Sequence, residues 1–109
     1  MTEKLNFDPE FIQKILGGSK RTTVRRGIKS YPVGRIVELT ANEKSFALAK
    51  IRKVVVKRLS EISEEDAKLD GFESREELIK KLKEIYGDIS DKEFFTVVHF
   101  EVLSQSPQT

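Results

Sequence analysis

The longest strand-like stretch of the sequence, residues 45–58, limits the folds that this chain can adopt. Phe46 and Leu48 fall on one face of that stretch, because side chains alternate between the two faces of a strand. The apolar alternation has slipped by Ile51 and resumes at Val54. A slip of this kind predicts a β-bulge or a sharp bend, which a sheet needs in order to curl towards a barrel.

The segments around this strand predict a mixed order of helices and strands. Asp8 is the predicted N-cap of the first helix, and Ile36 and Val37 are predicted to be buried in the second strand. A polar connection at residues 41–44 predicts a hairpin. The predicted elements are a helix at 8–16, strands at 22–26, 35–40 and 45–58, helices at 63–71 and 74–87, and a strand at 93–103. This order predicts an α+β fold, in which a bent sheet of five or six mostly antiparallel strands is covered by two or three helices.

Length and composition narrow the class of protein. The chain has 109 residues, 38% hydrophobic and 35% charged, which is typical of one folded domain, and we assign residues 1–103 to it and 104–109 to a loose tail. It has no cysteine, so disulfides and thiolate metal sites are excluded. No apolar run reaches the roughly 20 residues that cross a bilayer, and the N-terminal stretch is charged and short for a signal peptide. We therefore expect a cytoplasmic protein that does not bind membranes.

The charges are unevenly distributed along the chain. Residues 1–58 carry a balance of +9 and residues 59–109 a balance of −7. One interpretation is a basic face that binds phosphate groups. The other is a surface of many ion pairs, as heat-stable proteins often have. The two interpretations are compatible.

A short stretch, residues 17–25, concentrates the reactive side chains. Paired glycines end the first helix, and the β-branched residues that follow start a strand. Lys20, Thr23 and Arg25 then bring an ammonium, a hydroxyl and a guanidinium close together, which suffices to hold an anion or polarise a carbonyl. A lysine serves as a base only if burial or neighbouring cations lower its pKa. The alternative is a plain anion-binding turn or a salt-bridged rim of the barrel.

The same residues resemble a known family signature. The pattern Gly18-x-Lys20-x-x-Thr23-x-Arg25 is similar to the GxKxxTxR signature of the ASCH domain, a small family with a PUA-like β-barrel. The order of elements around the motif is also similar. The resemblance implies a PUA-like barrel whose basic cleft binds RNA, or a nucleoside or nucleotide.

Within that family the chain resembles the compact amidohydrolases that remove the acetyl group from N-acetylated cytidine. The resemblance places their catalytic lysine and threonine on Lys20 and Thr23, the threonine as nucleophile and the lysine as its base. Their third catalytic residue, a glutamate, falls at or beside Asp70, which is one methylene shorter. Glu73, three residues further on, is the alternative carboxylate.

The remaining candidates are ligand-binding residues. Tyr31 and Phe72 could stack on a base or instead pack on the core, and the second role is favoured for both. His99 is the lone histidine, and without clustered ligands it is interpreted as structural. No cofactor and no metal are expected, and the chain is expected to be a monomer. The predicted ligand-binding set is Gly18, Arg21, Arg25, Arg26, Tyr31 and Phe72.

Overall fold

The computed structural model describes residues 3–105, which form one five-stranded mixed sheet and three α-helices. Short 3₁₀ turns at Pro9–Phe11 and Leu59–Glu61 precede α1 and α2. The elements in chain order are β1 Lys4–Asn6, α1 Ile12–Leu16, β2 Thr22–Arg26, β3 Ile36–Ala41, β4 Lys44–Arg58, α2 Glu64–Leu69, α3 Arg75–Tyr86 and β5 Phe94–Gln105. The α+β prediction is confirmed, and so is the predicted number of strands and helices.

The sheet has the strand order β1-β3-β4-β5-β2 and curls into a half-barrel. Strand β1 runs parallel to β3, and all other neighbours are antiparallel. The two edge strands, β1 and β2, are not neighbours in the sheet, so the barrel has a seam. Arg25 Nη2 donates a hydrogen bond of 2.8 Å to the carbonyl of Asn6, which links the two edges across this seam.

The long strand β4 is irregular where the sequence predicted it. Its register against β5 shifts between Leu48 and Ala49 and again between Ile51 and Lys53. Each shift bends the strand and increases its twist, so the sheet curls around a core. The predicted bulge or bend is confirmed.

Local signals at the turns and helix ends are also confirmed. Asn42 and Glu43 connect β3 to β4 with φ angles of 50° and 66°, as a two-residue turn with two positive φ angles requires. Ser63 and Asp66 form a capping box at the start of α2, with reciprocal hydrogen bonds between side chain and backbone. The hydroxyl of Ser74 caps α3 by accepting from the backbone N–H of Glu77.

Two local predictions were wrong, and one strand was not predicted. The Asp8 side chain makes no capping hydrogen bond, and the segment after it is a 3₁₀ turn followed by a short helix rather than one helix. Ile36 is 52% exposed, whereas Val37 is buried, because consecutive residues of a strand face opposite sides. Strand β1 was not predicted, since only Leu5 of its three residues is buried and one apolar residue makes no pattern.

Strand β5 continues to Gln105, two residues beyond the predicted strand end. The rest of the predicted tail, residues 106–109, lies outside the described residues. Among residues 3–105, no helix is long and apolar enough to cross a membrane.

Two hydrophobic clusters form the core of the domain. The first joins β1, the 3₁₀ turn and α1 to the middle of the sheet, and includes Phe7, Phe11 and Phe100. The second joins α2 and α3 to the other end of the sheet, and includes Leu78 and Phe95. The half-buried ring of Phe72 packs against both clusters.

Candidate functional site

The turn after α1 carries Lys20 into the interior of the domain. Gly18 has φ +86°, a conformation that L side chains rarely adopt, and so allows the chain to turn there. Lys20 forms an isolated antiparallel bridge with Asp70, and the backbone N–H of Arg21 donates to the carbonyl of Leu69 at 2.7 Å. The backbone therefore places the end of α2 against the start of β2.

Lys20 and Asp70 form a buried ion pair. The distance from Lys20 Nζ to Asp70 Oδ1 is 2.7 Å, and each side chain is 4% exposed. Lys20 Nζ also donates to the backbone carbonyl of Asp70, at 3.2 Å. Gly71, at φ +90°, permits this close approach, because a Cβ there would lie 3.1 Å from Lys20 Cβ.

Thr22 is a member of the site that the sequence analysis missed. Its side chain is buried, and Oγ1 donates to Asp70 Oδ1 at 3.0 Å. Asp70 Oδ1 therefore accepts two hydrogen bonds, one from Lys20 and one from Thr22. The alternation of a strand was the available signal, because it puts Thr22 on the same side of the chain as Lys20.

Thr23 and Arg25 form a second pair beside the first. Arg25 Nε donates to Thr23 Oγ1 at 2.8 Å, and Thr23 is 5% exposed. The two hydrogen bonds of Lys20 Nζ both go to Asp70. Lys20 and Thr23 thus line the same cavity, but they do not share a hydrogen bond: Lys20 donates to Asp70, and Thr23 accepts from Arg25.

Three phenylalanines, Phe7, Phe11 and Phe72, form an aromatic wall around the lysine. The ring centroids lie 6.0, 4.8 and 5.9 Å, respectively, from Lys20 Nζ. Phe11 and Phe72 meet edge to face, with centroids 6.2 Å apart. Aromatic faces attract cations, so this wall stabilises a charge that is removed from water.

Burial brings the ion pair closer to its neutral form. Burial lowers the pKa of Lys20, while the neighbouring Asp70 carboxylate opposes that shift. It raises the pKa of Asp70, while Lys20 opposes that shift. Both burial effects lower the free energy needed to pass the proton from lysine to aspartate.

The ion pair borders a cavity of about 140 Å³, the Lys20 cavity, between the two hydrophobic clusters. Phe7 and Phe11 of the first cluster and Leu78 and Leu82 of the second supply apolar surface. The polar lining consists of Asn6, Asp8, Lys20, Thr23, Arg25, Asp70, Lys81 and Tyr86. Lys81 was not among the predicted residues, because a lysine on a charged helix has no distinguishing local signal.

The two candidate carboxylates have different surroundings. Asp70 is buried against Lys20, whereas Glu73 is exposed and lines a shallow recess with Ser19 and Lys68. The geometry thus brings Asp70, and not Glu73, to the lysine.

Several predicted ligand-binding residues lie away from the Lys20 cavity. Gly18 and Arg21 line a neighbouring cavity of about 740 Å³, which His99 also lines. Arg26 donates to the Glu93 carboxylate and to two backbone carbonyls near the end of α3. Tyr31 is half-buried and packs on the first hydrophobic cluster. Within the described part of the chain, no three metal-ligating side chains gather into a possible metal site.

Comparisons with known proteins agree with this architecture. A family model described as the ASCH domain matches residues 3–104. A crystal structure of an Enterococcus faecalis protein covers 100% of this chain and 84% of its own, with a TM-score of 0.78 and 17% identity. The ASCH domain from Lactobacillus crispatus covers 83% and 68%, with a TM-score of 0.62 and 20% identity.

The ASCH protein from Zymomonas mobilis covers 90% of this chain and 65% of its own, with a TM-score of 0.69 and 14% identity. At these identities the three structures show that the fold is shared. No curated protein matches the sequence significantly.

Proposed function

The chain belongs to the ASCH domain family, and on that premise we propose that the Lys20 cavity binds one base of a nucleoside, a nucleotide or an RNA. The observation that carries this proposal is the buried pair of Lys20 and Asp70, faced by an aromatic wall. Base recognition in proteins combines aromatic surface for stacking with a few hydrogen-bonding groups for the base edge. The cavity offers both.

The size of the cavity favours a single ring. Its volume of about 140 Å³ is close to that of the engineered cavities, about 150 Å³, which hold one benzene molecule. A pyrimidine has one six-membered ring, whereas a purine has two fused rings. The sugar must then remain at the mouth of the cavity.

The hydrogen-bonding groups favour a base with an exocyclic amine. Both side-chain hydrogen bonds that Asp70 accepts from the described residues go to Oδ1, which leaves Oδ2 as an acceptor. An ammonium has three N–H donors, and Lys20 uses two of them on Asp70. An amine of the base can donate to Oδ2, and a ring carbonyl can accept from Lys20. Cytosine carries both groups on one ring.

Titrations with cytidine, uridine and adenosine, followed by calorimetry, test this proposal. We expect cytidine to bind most tightly, and Asp70→Asn to reduce its preference over uridine about tenfold, since one hydrogen bond to a charged group is lost. Glu73→Gln is the matched control, because it neutralises an exposed carboxylate three residues away. Equal affinity for adenosine, or a preference for cytidine that survives Asp70→Asn, contradicts the proposal.

If the base belongs to an RNA, phosphate contacts add to the affinity. Binding of a short single-stranded RNA then weakens as salt rises, because each phosphate contact releases counterions. Arg25→Ala is expected to weaken binding to all sequences alike. Arg26→Ala tests the second predicted arginine, whose guanidinium is held by Glu93 and two carbonyls. Salt-independent affinity contradicts RNA binding.

Amidohydrolysis of N-acetylated cytidine is the second candidate, and the surroundings of Lys20 and Thr23 favour it. A proton that passes from Lys20 to Asp70 across 2.7 Å leaves a neutral amine without a net loss of charge. That amine accepts the Thr23 proton, while the Arg25 N–H stabilises negative charge on Thr23 Oγ1. The oxygen attacks the acetyl carbonyl, the C–N bond breaks, and the departing nitrogen takes the proton from Lys20. Water then hydrolyses the acetyl ester of Thr23.

Acetate release from N-acetylcytidine between pH 6 and 9 tests this second candidate. Lys20→Arg keeps the charge but cannot lose its proton, so we expect the variant to bind cytidine and to release no acetate. Thr23→Val removes the nucleophile at nearly constant volume. Glu73→Gln should release acetate at the wild-type rate. If the wild-type protein binds cytidine but releases no acetate, the hydrolase candidate fails and base binding stands.

A further inference from the structure

We propose that the mouth of the Lys20 cavity holds a phosphate subsite, in which Lys81 binds the 5′-phosphate of a nucleotide. In the free protein Glu10 forms an ion pair with Lys81, and the phosphate replaces it. This inference rests on the proposed base binding and adds the class of ligand, a nucleoside monophosphate rather than a nucleoside. It concerns a lysine that neither the motif nor the resemblance singled out.

The position of Lys81 is the first observation. The side chain lines the Lys20 cavity from α3, whereas the family motif lies on the turn opposite. The ring of Phe11 lies 4.8 Å from Lys20 Nζ and 5.5 Å from Lys81 Nζ, so the two ammonium groups are at most about 10 Å apart. Within this upper limit one nucleotide can reach both groups, with the base at Lys20 and the phosphate at Lys81.

The charge of the cavity is the second observation. Its lining includes three cations, Lys20, Arg25 and Lys81, and two carboxylates, Asp8 and Asp70. Lys20 is neutralised by Asp70, so the rest of the lining has two cations, Arg25 and Lys81, and one carboxylate, Asp8. Arg25 has five N–H donors and uses two of them on protein acceptors among the described residues.

The partner of Lys81 is the third observation. Lys81 pairs with Glu10 of the 3₁₀ turn and, at 3.4 Å, with Glu84 of its own helix. The Glu10 side chain is 53% exposed and that of Lys81 is 21% exposed, so solvent screens and weakens this ion pair. The hydrogen bond that Lys81 donates to Glu10 raises the pKa of Lys81, so the ammonium is charged at neutral pH. A phosphate with nearly two negative charges can replace Glu10 at little cost.

The test compares cytidine with cytidine 5′-monophosphate at pH 7.5 and constant salt, by calorimetry. The ratio of their dissociation constants measures the contribution of the phosphate to the affinity. We expect the monophosphate to bind about tenfold tighter to the wild-type protein, as one charge-assisted hydrogen bond supplies.

Three variants identify the subsite. Lys81→Gln should bring the ratio close to one, because the monophosphate loses the contact that cytidine cannot make. Glu10→Gln should raise the ratio about two- to fivefold, because the competing carboxylate is gone. Lys83→Gln, the matched control, removes the same charge from an exposed position of the same helix that lines a groove beside Glu64 and Arg75. Its ratio should equal that of the wild type.

The outcomes separate this inference from the proposed function. Cytidine and its monophosphate binding equally to the wild type refutes the phosphate subsite and leaves base binding intact. A loss of affinity for both ligands in Lys81→Gln that leaves the ratio at the wild-type value assigns Lys81 a structural role and also refutes the subsite. A protein that binds the monophosphate through Lys81 but not cytidine supports the subsite and refutes the base cavity.

Discussion

Replacing Asp70 with Asn is expected to destabilise the domain in a way that depends on pH. Asparagine has nearly the same shape and still accepts hydrogen bonds from Lys20 and Thr22, so the main loss is the negative charge. Lys20, with a side chain 4% exposed, is then a buried cation without a counterion. Removing one partner of a buried ion pair typically costs about 3–5 kcal/mol.

The ordinary pKa of lysine gives an independent limit on this cost. The variant can avoid the buried charge by releasing the Lys20 proton, and the ordinary pKa is 10.5. Deprotonation below that pKa costs about 1.4 kcal/mol per pH unit, so the penalty at pH 7.5 is at most about 4 kcal/mol. This limit falls within the range of about 3–5 kcal/mol for a broken buried ion pair.

The sign of the pH dependence follows from proton binding. In the variant the pKa of Lys20 is lower in the folded than in the unfolded state, because burial lowers it and Asp70 no longer opposes the shift. Between these two pKa values the unfolded state binds more protons, so the stability of the variant rises with pH. We expect its deficit relative to wild type to shrink to about 1–2 kcal/mol at pH 9.5.

Urea unfolding at pH 7.5, 8.5 and 9.5 measures the effect. At pH 7.5 the midpoint should fall by roughly 2–3 M, whereas Glu73→Gln, at an exposed carboxylate, should stay within about 0.5 kcal/mol of wild type. The double variant Lys20→Met with Asp70→Asn should recover much of the loss, because it leaves no buried charge. A deficit for Asp70→Asn that equals the control, or that stays constant with pH, would show that Lys20 is not a buried cation that depends on Asp70.

Three further variants test other contacts. Gly71→Ala should cost about 2 kcal/mol in urea unfolding, since it places a Cβ at φ +90° and 3.1 Å from Lys20 Cβ; a neutral effect would contradict the close approach. Thr22→Val should cost about 1–3 kcal/mol by the same assay, because Asp70 loses a buried hydrogen bond; unchanged stability would show that the bond contributes nothing. Glu43→Gly should raise the melting temperature by a few degrees, worth about 0.5–1 kcal/mol, since φ is 66° there; a lower melting temperature would refute this account of the turn.

The sequence determined the local features of this protein, because each depends on residues close together in the chain. The capping box of Ser63 and Asp66 spans four residues, and the turn at Asn42 spans two. The bulges of β4 show in its own alternation. The motif from Gly18 to Arg25 was likewise local, and together with the order of elements around it the motif indicated the family. Strand β1 has too few residues for such a signal.

How the charges combine depends on contacts between residues far apart in the chain. The basic half and the acidic half of the sequence suggested two separate faces, but four ion pairs within the described residues join a cation of the basic half to a carboxylate of the acidic half. These pairs are Lys20–Asp70, Arg26–Glu93, Arg52–Glu101 and Lys57–Asp66. Part of the uneven charge is therefore neutralised by these pairs, three of which lie at least partly exposed, and this favours the interpretation of an ion-paired surface.

Contacts between distant residues also explain why the sequence predicted only part of the site. Lys20, Thr23 and Arg25 lie in one motif, whereas Asp70 reaches Lys20 across 50 residues and Lys81 comes from a separate helix. Which carboxylate meets the lysine depends on the bridge that joins Lys20 to the end of α2, and this bridge is absent from any local pattern. Spacing along the chain left Asp70 and Glu73 as alternatives, and the folded backbone brought only Asp70 within hydrogen-bond distance.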